Sequence, residues 1–314
     1  MKLAAAVGEY VTHKRSMGMR FCTEERTLKA FCRAMGDIAM TQVQRDRVDA
    51  YTYLAGKGAV TRFWQRKHEV LVGFYRFAIA RGYALDVPLP HRVPKPAQAF
   101  VPYIYSHDEL RRLLKATAAC DNPHSSIESD TCRTLIVLLY GAGLRISEAL
   151  ALTLADVDLS GAMLFIHTSK FYKTRLVPLG PDLTRALKAY ATRRAMQHPS
   201  GPEGPFFVSR TGGPLTRRAA EHTFSCLRLR AGVLRHDGAR YQPRLHDLRH
   251  AFSVHRLVAW YRQGADVQRL LPQLATYLGH VHLAATQRYL TMTPELLQEA
   301  CKRFERYAGE VARG

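Results

Sequence analysis

The chain has 314 residues, 47% of them hydrophobic, and a length of this order is typical of two packed domains. Lysine and arginine number 46 against 26 acidic residues, a formal charge of +20 that is spread along the chain and not confined to one tail. This charge favours a nucleic-acid partner over two alternatives, a basic protein without such a partner and a protein of the membrane surface.

The six cysteines show neither a Cys-x-x-Cys pair nor metal-ligand spacing with histidine. This pattern predicts reduced thiols in a cytoplasmic protein and no metal site. The first residues lack a secretory hydrophobic region, and the most apolar stretch, residues 135–144, is about half of the ~20 residues that span a bilayer. We therefore expect neither export nor membrane insertion.

Residues 1–88 carry helical periodicity and almost no strand signal, with apolar residues at steps of three and four, as at Leu28, Phe31 and Met35. We predict a small helical domain here. Basic and aromatic residues interleave in TRFWQRKHEVLVGFYRFAIARGY, and an ordinary amphipathic helix with solvated charges explains this segment as well as DNA binding does. The candidate phosphate contacts in this segment are Arg62, Arg66, Lys67 and Arg76.

Five prolines fall within DVPLPHRVPKPAQAFVPY, a composition that cannot continue a helix, so we predict a linker over residues 89–103. Directly after it, Ser106 and Glu109 have the spacing of a capping box at a helix start. A second domain is therefore expected over residues 104–314.

The elements of the second domain follow in order. TLIVLLYGAGLRISEALAL predicts two helices around a turn at Gly141 and Gly143, and GAMLFIHTSK with TRLVPLG predicts a β-hairpin. Helices follow, one with Thr216 and Gly232 as caps and the last with Thr293 as cap and Pro294 in its first turn. The predicted fold class is mostly α with a small antiparallel β-sheet (α+β).

Residues suited to phosphoryl transfer lie in separate segments of this domain. Arg145 stands at a turn-to-helix junction in GAGLRISEAL, although pairing with Glu148 would explain it as a surface residue. In RLHDLRH, His246 and Arg249 are three residues apart and share one helical face, on which His250 also lies. They place a titratable group and a permanent cation at one spot.

His280 and Tyr289 lie nine residues apart in TYLGHVHLAATQRYL. By default a tyrosine beside Leu290 is a core or surface aromatic residue. A tyrosine phenol, with an ordinary pKa near ~10, is a nucleophile only where cations or a proton acceptor support the phenolate. The arginines and histidines of the other segments are candidates for that support.

These segments together resemble the motifs of the tyrosine recombinase (phage integrase) family. GAGLRISEAL is similar to the first-arginine motif, TSKFYKTRLVPLG to the lysine hairpin, HDLRHAF to the His-x-x-Arg motif and YLGHVHLAATQRYL to the nucleophile motif. The resemblance covers the chain from about residue 102 to its end, and the N-terminal part resembles the family's helical core-binding domain in composition. The long segment AWYRQGADVQRLLPQL resembles integrases carried by transposons and related mobile elements.

The resemblance implies a site-specific DNA recombinase or integrase that works through a 3′-phosphotyrosyl intermediate. In this mechanism Tyr289 attacks the scissile phosphate, and Arg145 and Arg249 contact its non-bridging oxygens. His246 and His280 hydrogen-bond the phosphate, with His246 placed to accept the tyrosine's proton.

The same resemblance assigns protonation of the leaving 5′-oxygen to Lys170. The hairpin reads Ser169-Lys170-Phe171-Tyr172-Lys173 where the family usually has glycines. Alignment on RLVPLG favours Lys170, and Lys173 is its rival.

No metal and no nucleotide cofactor is expected, because fixed cations stabilise the transition state and the covalent intermediate conserves the bond energy. The expected partners are double-stranded DNA recombination sites, on which a homotetramer assembles, together with a second recombinase or accessory protein in some systems. We expect the two domains to grip opposite faces of the duplex. The last helix, from Thr293 to about Arg306, suits docking on a neighbouring protomer and packing on its own domain equally well.

Two alternative functions stay open at this point. A relative can use the same cleavage for topoisomerase-like relaxation or telomere resolution. A non-catalytic basic DNA-binding protein is the other alternative, but binding alone needs no positioned tyrosine.

Overall fold

The computed structural model divides into two compact units, residues 1–99 and residues 100–314. The residues that it describes are 1–52, 62–89, 101–167, 174–239, 241–280, 282–291 and 294–311. Within these ranges, no helix is both long enough and apolar enough to cross a bilayer. Most of the predicted linker, residues 90–100, lies outside the described residues, so the linker stays a prediction.

The first unit is helical, as its periodicity predicts. Leu28, Phe31 and Met35 are buried along one helix, and Leu71 and Phe74 of another belong to the same hydrophobic cluster. The α-helices that the structure describes in this unit are α1 (Leu3–Ser16), α2 (Cys22–Met35), α3 (Arg45–Thr52) and α4 (Arg62–Ala80).

The second unit consists mainly of helices around two hydrophobic clusters. The larger cluster contains the helices that precede and follow the sheet, and the smaller one lies between the helices of the C-terminal third. The helices are α5 (His107–Ala116), α6 (Ser129–Gly141), α7 (Ile146–Ala149), α8 (Pro181–Gln197), α9 (Arg217–Arg230), α10 (Asp247–Arg262), α11 (Val267–Leu278), α12 (Ala284–Gln287) and α13 (Pro294–Val311).

One three-stranded antiparallel sheet of strand order β1-β2-β3 interrupts these helices. The predicted hairpin is β2 (Met163–Ile166) with β3 (Arg175–Pro178), and the unpredicted β1 (Val157–Asp158) is only two residues long. Leu164 pairs with Val177 across the hairpin, and both side chains are fully buried. The fold class, mostly α with a small antiparallel sheet, is confirmed.

The predicted helix caps are present where the structure describes them. The Ser106 hydroxyl accepts a hydrogen bond from the Glu109 amide (3.2 Å), and the Glu109 carboxylate accepts one from the Ser106 amide (2.8 Å). The Thr216 hydroxyl caps α9, and Gly232 follows that helix in the left-handed conformation (φ +61°). Pro294 begins α13 as predicted, and Thr293 lies outside the described residues.

The first turns of α13 pack on their own unit. Leu296 is fully buried in the smaller hydrophobic cluster, beside residues of α10 and α11. Arg262 of α10 forms ion pairs with Glu295 (2.5 Å) and Glu299 (3.6 Å). These contacts hold the first turns of the helix to the chain's own unit, and docking of the helix on a neighbouring protomer stays a prediction.

Candidate active site

Arg145 and Glu148 form the start of α7 together. The preceding turn needs Gly143, whose φ is +59° and on which a Cβ would stand 2.5 Å from the Phe252 ring. Arg145 is the N-cap residue, and its amide donates to Glu148 Oε2 (2.9 Å) while its Nη1 donates to Oε1 (2.6 Å). The pairing with Glu148 that the spacing suggested therefore exists, but Glu148 is buried and not a surface residue.

A second arginine, Arg175 at the start of β3, approaches the same carboxylate. Its Nη1 and Nη2 donate to the two oxygens of Glu148 at 3.0 and 2.8 Å. Burial alone would raise the pKa of Glu148, but the hydrogen bonds and charges of Arg175 and Arg145 outweigh burial and lower it to about 2. Glu148 is therefore a permanent carboxylate shared by two guanidinium groups.

Arg249 of α10 is the most enclosed cation of the site. It is only 2% exposed, and its Nη1 lies 4.0 Å from Glu148 Oε2. Nη1 donates to the Gly143 carbonyl (2.7 Å) and Nη2 to the Leu278 carbonyl (2.5 Å). Burial and the nearby charge of Arg145 lower the pKa of Arg249 to about 10, so it stays protonated at neutral pH.

The C-terminal end of α11 accepts a hydrogen bond from each of these arginines. Arg175 Nε donates to the Tyr277 carbonyl (3.0 Å), Arg249 to Leu278, and Arg145 Nη2 to the Gly279 carbonyl (2.9 Å). Helix C-termini carry unsatisfied carbonyl groups and partial negative charge, so cations are stabilised there. Gly279 ends α11 in the left-handed conformation (φ +66°), and a Cβ there would lie 2.9 Å from the Arg175 guanidinium.

Two histidines of the motifs border this cluster of arginines. Burial and the positive charge of Arg249 lower the pKa of both His246 and His280 to about 4. His280 Nδ1 lies 2.6 Å from the hydroxyl of the buried Thr286. Both imidazoles are neutral at pH 7 and can donate or accept a hydrogen bond.

Tyr289 lies in a short 3₁₀ turn, Arg288–Thr291, between α12 and α13. Its side chain is 2% exposed and packs in the smaller hydrophobic cluster. The hydroxyl is 3.1 Å from Nδ1 of His250, and the ring stacks beside His280 with centroids 6.2 Å apart. The candidate nucleophile thus belongs to the same site as the arginines.

The structure brings together five of the six predicted catalytic residues, and the sixth lies outside the described residues. Arg145, Arg249, His246, His280 and Tyr289 surround one site, although they come from segments up to 144 positions apart in the chain. Lys170 and its rival Lys173 lie outside the described residues, and so does the turn at Phe171 and Tyr172.

Among the predicted DNA contacts of α4, Arg66 and Arg76 fall within about 80° of each other around the helix, whereas Lys67 is turned away from them. Lys67 and Arg76 are nine residues apart, which is about two and a half helical turns, so they lie on opposite sides. Arg76 is exposed, Arg66 forms an ion pair with Glu24 (2.7 Å), and Lys67 Nζ lies 4.1 Å from the centre of the Tyr51 ring. The side chain of Arg62 lies outside the described residues.

Sequence reasoning missed the contributions of Glu148, Arg175, His250 and Thr286. The sequence alone presents Glu148 as a surface partner of Arg145 and Arg175 as part of a strand. The Arg-x-x-Glu spacing at a predicted helix start was the available signal for Glu148, because a carboxylate three residues after an N-cap residue faces back toward it. No sequence pattern predicts the contact between Arg175 of β3 and the end of α11.

Comparison with known proteins identifies the family. The profile described as the phage integrase family matches residues 104–295, more than half of the chain. The integrase/recombinase y4rB of Sinorhizobium fredii (strain NBRC 101917 / NGR234) is 36% identical over 308 residues, covering 96% of this chain and 96% of its own. The tyrosine recombinase XerD of Caulobacter vibrioides (strain ATCC 19089 / CIP 103742 / CB 15) is 32% identical over 256 residues, 80% of this chain and 78% of its own.

Solved structures share the fold at lower identity. The Tn1549 transposon integrase in complex with transposon right end DNA has a TM-score of 0.71 at 16% identity and covers 98% of this chain and 100% of its own. A lambda integrase tetramer bound to a Holliday junction has a TM-score of 0.64 at 17% identity and covers 92% of this chain and 77% of its own. The chain belongs to the phage integrase family, the tyrosine recombinases. It is a site-specific DNA recombinase, an enzyme that transfers DNA strands.

Proposed function

We propose that Tyr289 is the nucleophile of this recombinase and that it forms a 3′-phosphotyrosyl bond with the cleaved strand. The observation that carries this proposal is the position of its hydroxyl in the site that Arg145, Arg249 and His280 border. A phenol needs cations nearby to act as a nucleophile, and these residues supply them.

The arginines stabilise the charge that develops during the transfer. As the Tyr289 oxygen bonds to phosphorus, negative charge builds on the non-bridging oxygens, and Arg145 and Arg249 neutralise it. His246 and His280 are neutral and donate hydrogen bonds to the same oxygens. Cations fixed before the reaction stabilise a transition state more than mobile ones do, since they need no reorganisation.

The proton for the leaving 5′-oxygen comes from Lys170, with Lys173 as the alternative donor. Both precede Arg175 by a few residues, and Arg175 lies in the site through its bonds to Glu148 and Tyr277. The closeness of both lysines in sequence to a residue of the site supports a general-acid role for one of them.

We further propose that four copies of this protein act together on two DNA sites. The DNA that the protein recombines is proposed to be a mobile element. The lambda integrase tetramer and the Tn1549 integrase are the related structures that support these two points. The double-stranded site is contacted by both units, with exposed Arg66 and Arg76 as candidate contacts of the first.

A covalent trapping assay tests the nucleophile. The protein is incubated with a nicked duplex from which the cleaved end diffuses away, so that the phosphotyrosyl adduct accumulates. Tyr289→Phe should bind this DNA like the wild-type protein but form no adduct. Tyr277→Phe is the matched control, because it removes a phenol from α11 of the same unit, and it should form adduct. Adduct formation by Tyr289→Phe would show that another residue is the nucleophile.

A further inference from the structure

The hydroxyl of Tyr289 has a specific partner that the family resemblance does not assign. Among the described residues its hydrogen bond goes to His250, at 3.1 Å from Nδ1, with the two rings 5.6 Å apart at 57°. His246, which the resemblance assigns as proton acceptor, lies one helical turn earlier, with its ring 5.1 Å from that of His250. The nearer candidate for the tyrosine's proton is therefore His250.

We propose that His250 is a catalytic residue whose Nδ1 accepts the phenolic proton of Tyr289 as the phenolic oxygen bonds to phosphorus. The inference rests on the proposed role of Tyr289. In this step the oxygen–phosphorus bond forms while the bond from phosphorus to the 5′-oxygen breaks. The phenolic proton moves to His250, and the hairpin lysine protonates the departing oxygen. Rejoining reverses each transfer.

The surrounding structure holds donor and acceptor in fixed positions. His250 directly follows Arg249, whose guanidinium is bound to the carbonyls of Gly143 and Leu278. The same helix carries the buried Ser253, which donates to the Arg249 carbonyl (2.9 Å). Tyr289 belongs to the smaller hydrophobic cluster, where close packing restrains its ring.

Burial and the positive charges around His250 keep its imidazole unprotonated. It faces His246 and Arg249 on α10, Arg244 in the preceding loop, and Arg288 and Tyr289 in the 3₁₀ turn. Burial first, and then these positive groups, lower the pKa of His250 to about 3, so the imidazole is neutral and can accept a proton. A scissile phosphate brings a negative charge beside the arginines, and a neighbouring anion raises the pKa of an imidazole.

The chain offers a matched control on the same helix. His255 Nδ1 lies 2.8 Å from the hydroxyl of Tyr140, so it has the same kind of bond to a tyrosine away from the proposed nucleophile. The proteins to compare are His250→Ala, His250→Asn and His255→Ala. DNA binding and thermal unfolding are measured first, and if His250→Ala does not fold, His250→Asn carries the test.

The rate of adduct formation on the nicked duplex is then measured between about pH 6 and pH 9. Loss of a general base slows a reaction by about 10²-fold or more, so both His250 variants should show that loss while His255→Ala stays within about threefold. Asparagine can still accept a hydrogen bond but takes up no proton. A wild-type rate in His250→Asn would therefore reduce His250 to a positioning residue and overturn the proposal. A wild-type rate in His250→Ala would overturn it as well.

A more acidic phenol provides the second readout. Fluorination makes the phenol of residue 289 acidic enough to release its proton to water. It should therefore restore at least about tenfold of the rate in His250→Ala, less than the ~10²-fold that a general base supplies. If the fluorinated residue restores His246→Ala and not His250→Ala, His246 is the acceptor and the proposal is wrong. These outcomes are distinct from adduct formation by Tyr289→Phe, which would remove the proposed nucleophile itself.

Discussion

Replacing Glu148 with glutamine should destabilise the second unit strongly. Glu148 is the carboxylate that accepts from both Arg145 and Arg175, and its side chain is only 7% exposed. The amide has the same shape but no charge, and its NH₂ group would face guanidinium donors. The two arginines would then remain partly buried without their common counter-ion.

The pKa of Glu148 sets the size of the effect. A fall from 4.5 to about 2 corresponds to roughly 3 kcal/mol, since each unit is worth about 1.4 kcal/mol. Because the folded pKa is lowered, this stability is complete well above pH 4.5 and is lost as the pH falls toward 2. We expect Glu148→Gln to lower the free energy of unfolding by about 3 kcal/mol at pH 7. At pH 4 the difference in unfolding free energy between wild type and variant should be smaller by roughly 1 kcal/mol.

Urea unfolding of the full chain measures this difference. The chain has two tryptophans, so a Trp64→Phe background leaves Trp260, on α10, as the fluorescent reporter of the second unit. Glu221→Gln is the control, because Glu221 is 49% exposed in its ion pair with Arg217 and should change stability by less than about 0.5 kcal/mol. A loss below about 1 kcal/mol in Glu148→Gln, or a loss that does not change between pH 7 and pH 4, would refute the reasoning.

Three further predictions concern the hairpin, the DNA contacts and the turn before Arg145. Lys170→Ala should cleave ordinary DNA slowly but recover on a 5′-bridging phosphorothiolate, because a thiolate leaves without a proton; recovery of Lys173→Ala instead would reassign the general acid. The logarithm of DNA affinity should fall linearly with the logarithm of salt concentration, with a slope of about −0.9 per neutralised phosphate. Arg76→Ala should reduce that slope more than Lys67→Ala, because the ammonium of Lys67 lies over the Tyr51 ring. Equal slopes in the wild type and both variants would exclude Arg76 as a phosphate contact. Gly143→Ala should lower the unfolding free energy by about 2 kcal/mol or more in the same urea assay, because φ is positive there and the added Cβ would collide with Phe252. Gly180→Ala is the control, since a Cβ at Gly180 meets open space. Equal effects of the two changes would contradict the packing described.

The elements of the fold were largely predictable because their signals are local. Helical periodicity, the Ser106–Glu109 capping box and Gly232 depend on residues within a few positions of one another. β1 was not predictable, because a strand of two residues is too short to show alternation of apolar and polar residues. On α4, helical geometry separates Lys67 from Arg66 and Arg76, and contact of these residues with DNA stays a prediction.

The candidate site was predictable only as a set of motifs. Arg145, Arg249 and Tyr289 could be selected because each lies in a segment that resembles a family motif. The bond from His250 to Tyr289 joins residues 39 positions apart, and that from Arg175 to Tyr277 joins residues 102 positions apart. Such contacts follow from tertiary packing, and the periodicity of a single segment contains no information about them.

The C-terminal end of α11 orders the arginine side chains of the site before DNA binds. Carbonyls of Tyr277, Leu278 and Gly279 each hold a different arginine, although these arginines come from α7, β3 and α10. Immobilising a long arginine side chain costs up to about 2 kcal/mol of rotamer entropy. Because the main chain of one helix end already holds all three side chains, that entropy is lost during folding, and the DNA meets cations that are already ordered.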